Sequence, residues 1–101
     1  MKANRKRYLL FKIHSDGVLS EKRLSSAIWK NLLSLYGEVA ISDCRFYLNQ
    51  YDDKTGEGVF QSNAAKLGHV ITAAVLLDTI DDVLLSFEPK KTSGTIKGLK
   101  S

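Results

Sequence analysis

The sequence predicts a single α+β domain in the order strand, helix, strand, strand, helix, strand, and three observations carry that prediction. Four short stretches alternate apolar and polar residues with the two-residue period of a half-buried strand. Two stretches between them place apolar residues three and four apart, which lines one face of a helix. Capping and turn-forming residues stand where each element should start or stop. At 101 residues the chain is long enough for one hydrophobic core and too short for two.

The first strand is RYLLFKIH, residues 7–14, with Leu9, Phe11 and Ile13 on one face and Tyr8, Leu10, Lys12 and His14 on the other. Ser15-Asp16-Gly17 reads as a turn. A helix follows from about Ser20 to Tyr36: Ser20 is an N-cap residue, Glu21 suits the positive end of the helix dipole, and Gly37 suits the position just past the C-terminus. Its apolar stripe is Leu24, Ile28, Leu32 and Leu35, widened by Ala27. The second strand, 43–51, sets Cys44, Phe46 and Leu48 against Arg45, Tyr47, Asn49 and Tyr51. A polar hairpin at 52–56 leads into a third strand near 57–62, where adjacent Val59 and Phe60 must point in opposite directions. Asn63 caps a second helix reaching about Leu77, with Leu67, Val70, Ile71, Ala74 and Leu77 inward. The fourth strand, 82–88, buries Val83, Leu85 and Phe87, and Pro89 ends it. This order is that of the ferredoxin-like βαββαβ sandwich, with two helices on one face of a four-stranded antiparallel sheet. There the first and fourth strands are antiparallel neighbours, so the start of one lies beside the end of the other.

Charge makes that neighbourhood interesting. Residues 1–12 carry Lys2, Arg5, Lys6, Arg7 and Lys12, and residues 89–101 carry Lys90, Lys91, Lys97 and Lys100, with no acid in either segment. The two ends hold nine of the 15 basic residues, and the body between them holds all 11 acidic ones. Basic termini that the fold brings together suggest a localised contact with a polyanion. Frayed ends that merely keep the chain soluble are the alternative. Other classes are excluded more firmly. The longest apolar runs are far too short to span a bilayer, and the basic start lacks a signal-peptide core and cleavage site. One cysteine and two histidines provide neither an intrachain disulfide nor a thiolate–imidazole metal cluster. The expectation is an intracellular, cytoplasmic, metal-free protein.

The exposed sheet face is expected to show Tyr8, Lys12, Arg45, Tyr47 and Tyr51. Aromatic and basic side chains interleaved on a sheet supply base stacking and phosphate contact, although tyrosine is also an ordinary strand residue. The aromatic consensus of RNA-recognition motifs is missing. No catalytic set emerges: His14 and His69 have no recognisable nucleophile partner, and Cys44 alternates with core residues. Asp52-Asp53 and Asp81-Asp82 read as solvated turn acids before Mg²⁺ ligands, and the glycines of residues 55–58 lack phosphate-loop spacing.

Several separated pieces together resemble the ribonuclease P protein component 2 family, the archaeal relatives of a eukaryotic ribonuclease P/MRP subunit. They are the basic-RYLLF segment from Arg5 to Phe11, the helix end Leu35-Tyr36-Gly37, the hairpin Thr55-Gly56-Glu57-Gly58-Val59, and Thr92-Ser93-Gly94-Thr95-Ile96-Lys97 after the last strand. Each piece is weak alone; their order and spacing span nearly the whole chain. The resemblance implies an RNA-recognition-like fold and a role as the protein subunit of an endoribonuclease that removes the 5′ leader of precursor tRNA. It implies that the RNA does the chemistry with its own Mg²⁺, so that no catalytic residue is expected on this chain. The implied partners are ribonuclease P RNA, a barrel-shaped protein component 3 in a heterotetramer with two copies of each, other ribonuclease P proteins and, indirectly, precursor tRNA.

The RNA-contacting residues read from these arguments are Arg5, Lys6, Arg7, Tyr8, Lys12, Arg45, Tyr47, Lys90, Lys91, Ser93, Gly94 and Lys97. One departure from the family pattern is Gln61, which stands where relatives usually carry a basic residue, so a contact there is either lost or made by a neutral amide. The 93–97 segment has a structural alternative as well, in which it anchors the tail with Ile96 filling a gap. For the whole chain, the competing class is a ferredoxin-like protein-interaction or ligand-sensing domain whose basic ends only solubilise it.

Overall fold

The computed structural model describes residues 5–99. Its elements in chain order are β1 (Lys6–Ser15), α1 (Glu21–Ile41), β2 (Tyr47–Tyr51), β3 (Glu57–Asn63), a 3₁₀ turn (Ala64–Lys66), α2 (Leu67–Val75), β4 (Thr79–Ile80), β5 (Val83–Ser93) and α3 (Ile96–Leu99). The strands form one sheet in the order β2-β3-β1-β5-β4, with every pairing antiparallel. The α+β class predicted from the sequence holds. The four-stranded ferredoxin-like detail does not, because the structure has five strands and three helices. The two additions are short: β4 pairs Thr79 and Ile80 with Leu84 and Val83, and α3 follows the last long strand.

One face of the sheet is the core. Leu9, Phe11 and Ile13 of β1, Leu48 of β2, Phe60 of β3 and Leu85 and Phe87 of β5 form a single cluster with Leu24, Ile28 and Leu32 of α1 and Leu67, Val70, Ala73 and Ala74 of α2. Both long helices therefore cover the same face. Phe11 is its centre, with ring centroids 4.9 Å from Phe87, 5.6 Å from Phe60 and 6.3 Å from Tyr51. Side chains of this size each contribute roughly 1.5–3 kcal/mol when fully buried. Asn31 ties the helices together by donating from Nδ2 to the Ala73 carbonyl at 2.7 Å.

The helix signals act as their chemistry predicts. Ser20 Oγ accepts the Arg23 N–H at 3.2 Å, and Gly37 breaks α1 with φ 84°, a left-handed angle that favours glycine, before one more turn ends at Ile41. Leu35, placed in the buried stripe by its spacing, is exposed, while Ile41 beyond the kink is buried. Asn63 does cap, accepting the Ala65 N–H at 3.2 Å, but the turn it caps is 3₁₀ and the α-helix starts only at Leu67.

Three irregularities separate the strands from simple alternation. In β2 the partner of Leu48 is Phe60 and that of Gln50 is Val59, so Asn49 is an inserted residue. This bulge turns Tyr51 onto the core face against Phe11, where burial pushes its phenol pKa up. Tyr51 is therefore not on the exposed face. Arg45 lies outside the strand, with a left-handed φ of 55°. In β5, Phe11 pairs with Pro89 and Leu10 with Lys91, so Lys90 is inserted and the strand continues to Ser93. Pro89 does not end it, since a bulge tolerates a residue without an N–H.

Val59 and Phe60 are both buried because both faces are covered at that point. Phe60 enters the core; Val59, 2% exposed, lines a depression with Leu10, Gln50 and Leu99, and Leu99 is only 4% exposed. The helix α3 thus roofs part of the outer face. Its anchor is Leu99, not Ile96, which is only half-buried.

Two outcomes test this packing. A Cβ on Gly58 would lie 2.6 Å from the Gln50 carbonyl oxygen and 2.7 Å from Phe11 Cζ. Gly58→Val should accordingly destabilise the fold by about 2 kcal/mol or more in chemical denaturation, as overpacking against backbone does. Leu99→Ala should cost about 2 kcal/mol and should raise hydrogen exchange in β1 and β3 at Leu10 and Val59 more than in α1. Equal exchange at those sites would show that α3 does not cover them.

Candidate nucleic-acid interface

The outer face of the sheet is organised in rows set by strand register. Tyr8 of β1 is opposite Gln61 of β3 and Ser93 of β5, and Gln61 is opposite Tyr47 of β2. Ser93, Tyr8, Gln61 and Tyr47 therefore form one line across four strands. The next row, Lys91, Leu10, Val59 and Gln50, is the one closed over by Leu99. The row beyond pairs Lys12 with Glu57 on one side and Glu88 on the other.

Charge is graded along these rows. Lys6, which shares the parity of Tyr8, stands on the outer face at the start of β1, and Lys91 stands beside Leu10. Arg5 is exposed just before β1. Arg7 lies at the same end, since a Cβ added to Gly94 would sit 4.0 Å from its Nη1. The start of β1 and the end of β5 are thus brought together. Lys2 and Lys100 lie outside the described residues. At the other end of the sheet, Lys12 is flanked by two carboxylates in register and does not extend the basic surface. Lys90 Nζ is 3.5 Å from Glu88 Oε2, and His14 Nε2 is 2.7 Å from Glu88 Oε1. The His14 hydrogen bond holds the Glu88 carboxyl below its usual range, with Lys90 adding to the effect.

The hydroxyls of the 93–97 segment have internal work. Ser93 Oγ accepts the Thr95 N–H at 3.2 Å, and Thr95 Oγ1 accepts the Gly98 N–H at 3.0 Å. They cap α3, which is the anchoring alternative. Gly94 is exposed and its backbone angle is not left-handed, so no strain argument attaches to it. Lys97 is exposed on α3. Arg45, held away from β2 by its left-handed backbone, does not share the row with Tyr47.

The structure adds Asn49 to the site. Its Nδ2 donates to Gln61 Oε1 at 2.9 Å, while its own Oδ1 is buried without a donor. A buried acceptor without a donor costs on the order of 1–3 kcal/mol. The signal in the sequence was Gln61 itself, an amide where the resemblance implies a cation; Asn49 gave none, since only the bulge brings it there.

Cys44, His69, Asp52 and Asp81 each have a defined setting. Cys44 is fully buried, and burial pushes its thiol pKa up, away from reactivity. The His69 ring packs on Tyr36 with centroids 4.4 Å apart. Asp52 Oδ1 accepts the Lys54 N–H at 2.9 Å in the hairpin, and Asp81 Oδ2 is 3.2 Å from Arg23 Nη1. Among the described residues no helix is long and apolar enough to cross a membrane.

Comparison with known proteins meets this geometry. The chain is 28% identical over 97 residues to ribonuclease P protein component 2 of Pyrococcus furiosus, covering 96% of this chain and 81% of that protein. It is 33% identical over 98 residues to the protein of the same name from Archaeoglobus fulgidus, covering 96% and 86%. A chain in a cryo-EM structure of yeast ribonuclease MRP shares the fold, with a TM-score of 0.72 over 94% of this chain and 78% of that one at 12% identity. Residues 7–101 match the model of the Rpp14/Pop5 family, and the chain belongs to that family.

Proposed function

We infer that this chain is a protein subunit of ribonuclease P and that it supports a catalytic RNA which removes the 5′ leader of precursor tRNA. The observation that carries the reading is the extent of the family match, residues 7–101, together with archaeal component 2 relatives aligned over 96% of the chain. The charge gradient on the outer face supports it. Lys6 and Lys91 stand on that face where β1 begins and β5 ends, with Arg7 at the same end of the sheet, whereas Glu57 and Glu88 occupy the opposite end. Such one-sided charge holds a phosphate backbone at one end of the domain and leaves the rest of the protein out of its field.

In this reading the protein does no bond breaking. Mg²⁺ belongs to the RNA and supplies the metal-assisted hydrolysis there. The chain's own cations neutralise phosphates that would otherwise repel one another in the folded RNA, lowering the Mg²⁺ needed to hold its active shape. Ser93 and Thr95 position α3, and through it Lys97, at the same corner. A barrel-shaped component 3 and a two-plus-two heterotetramer complete the proposed assembly, in the cytoplasm.

Reconstitution tests the function directly. Adding the chain and its protein partner to ribonuclease P RNA should lower the Mg²⁺ concentration needed for 5′ cleavage of precursor tRNA; no shift in that requirement would reject the role. Replacing Arg5, Lys6 and Lys91 together with Ala should reduce the slope of log affinity against log salt by about 2, at roughly 0.7–0.9 per lost phosphate contact. An unchanged slope would place the RNA elsewhere. His14→Ala and His69→Ala should each change single-turnover cleavage by well under the roughly 10²–10⁴-fold expected of a general acid or base.

A further inference from the structure

We propose that the row Tyr8–Gln61–Tyr47, with Asn49, is a binding site for one unpaired nucleobase of RNA. The proposal rests on the RNA-binding reading above and goes beyond phosphate contact. Register places the two tyrosines on either side of Gln61 in a single line on the outer face. With strands about 4.8 Å apart, their Cα atoms are about 10 Å apart, which leaves a planar base room to lie on one ring with its edge over the amide. Tyr47 is 62% exposed, so its ring is presented to solvent and is not part of the core.

Four further features shape the site for a base and its flanking phosphates. The Asn49–Gln61 hydrogen bond uses Gln61 Oε1 and leaves the Gln61 amide N–H groups for a ligand acceptor. Beside them Asn49 Oδ1 is a buried acceptor with no donor; turning the amide toward a donor-bearing ligand edge satisfies it in exchange for the Gln61 hydrogen bond. A base carries donors and acceptors along one edge and a stacking face, the combination this row complements. The cations Lys6 and Lys91 stand on the same face next to Tyr8, matching the flanking phosphates. The Leu99-covered row bounds the site on one side. Here the aromatics come from β1 and β2, with an amide between them on β3.

The test uses the full chain and measures binding of fluorescein-labelled hexaadenylate, hexauridylate and a blunt 12-base-pair RNA duplex. Tyr47→Ala should weaken binding of at least one hexamer about 5- to 100-fold, the range for loss of one base–aromatic stack, without changing the salt slope. Tyr47→Phe should restore it. Gln61→Leu should remove any preference between the hexamers, and Lys6→Ala should lower the salt slope while keeping that preference. If Tyr47→Ala leaves hexamer binding unchanged while Lys6→Ala still lowers the slope, the base site is wrong and the RNA-binding reading stands. If Tyr47→Ala weakens the duplex as much as the hexamers, the site does not read an unpaired base. If neither the hexamers nor ribonuclease P RNA bind, both readings fall.

Discussion

The structure depends on β1 being hydrogen-bonded on both sides, to β3 and to β5, with Phe11 at the middle of its inner face. A central strand cannot slip: moving its register by one residue would turn Leu9, Phe11 and Ile13 outward and bring Tyr8, Leu10 and Lys12 into the core. The stacked rings of Phe11 and Phe87 and the tilted Phe60 hold that register from two different strands. Everything placed on the outer face inherits its position from this pairing. The meeting of the two basic ends follows too, because an antiparallel β1–β5 pair sets Tyr8 against Ser93.

The outer face is divided by what covers it. Leu99 buries Val59 and closes the middle, which leaves the basic end open and the acidic end separate. Burying Val59 explains why two adjacent residues of β3 can both be apolar in an antiparallel sheet, where one face normally meets water. The capping hydroxyls of Ser93 and Thr95 start α3 immediately after β5, so the same short segment serves both the roof and the polar corner. Gly98 belongs to this arrangement, since a Cβ there would collide with Ser93 Oγ.

Membership in the Rpp14/Pop5 family and the face's chemistry agree in kind. The family is one of ribonuclease P subunits, and the outer face offers cations placed at one end of the sheet. The His14–Glu88 pair joins a histidine to a carboxylate at 2.7 Å, yet it is solvent-exposed and shared with Lys90, a surface cluster at the acidic end of the sheet.

From the sequence alone came the order of the long elements, the Ser20 cap, the helix break at Gly37, the inward side of β1 and the crowding of cations at the two ends. Each of these is local: capping depends on one side chain and the next turn, and amphipathic periodicity depends on neighbours within a few residues. The tertiary structure decided the rest. Asn49 is inserted in β2 only because of how that strand pairs with β3, and the insertion sends Tyr51 inward and brings the Asn49 amide to Gln61. Pro89 stays within a strand because β1 accepts a bulge at Lys90. Lys12 loses its place among the cations because Glu57 and Glu88, 45 and 76 residues away in sequence, are its neighbours across the sheet. Alternation along a chain says which residues share a face, but only hydrogen-bond register between strands says which of them share a row, and binding chemistry is set by the row.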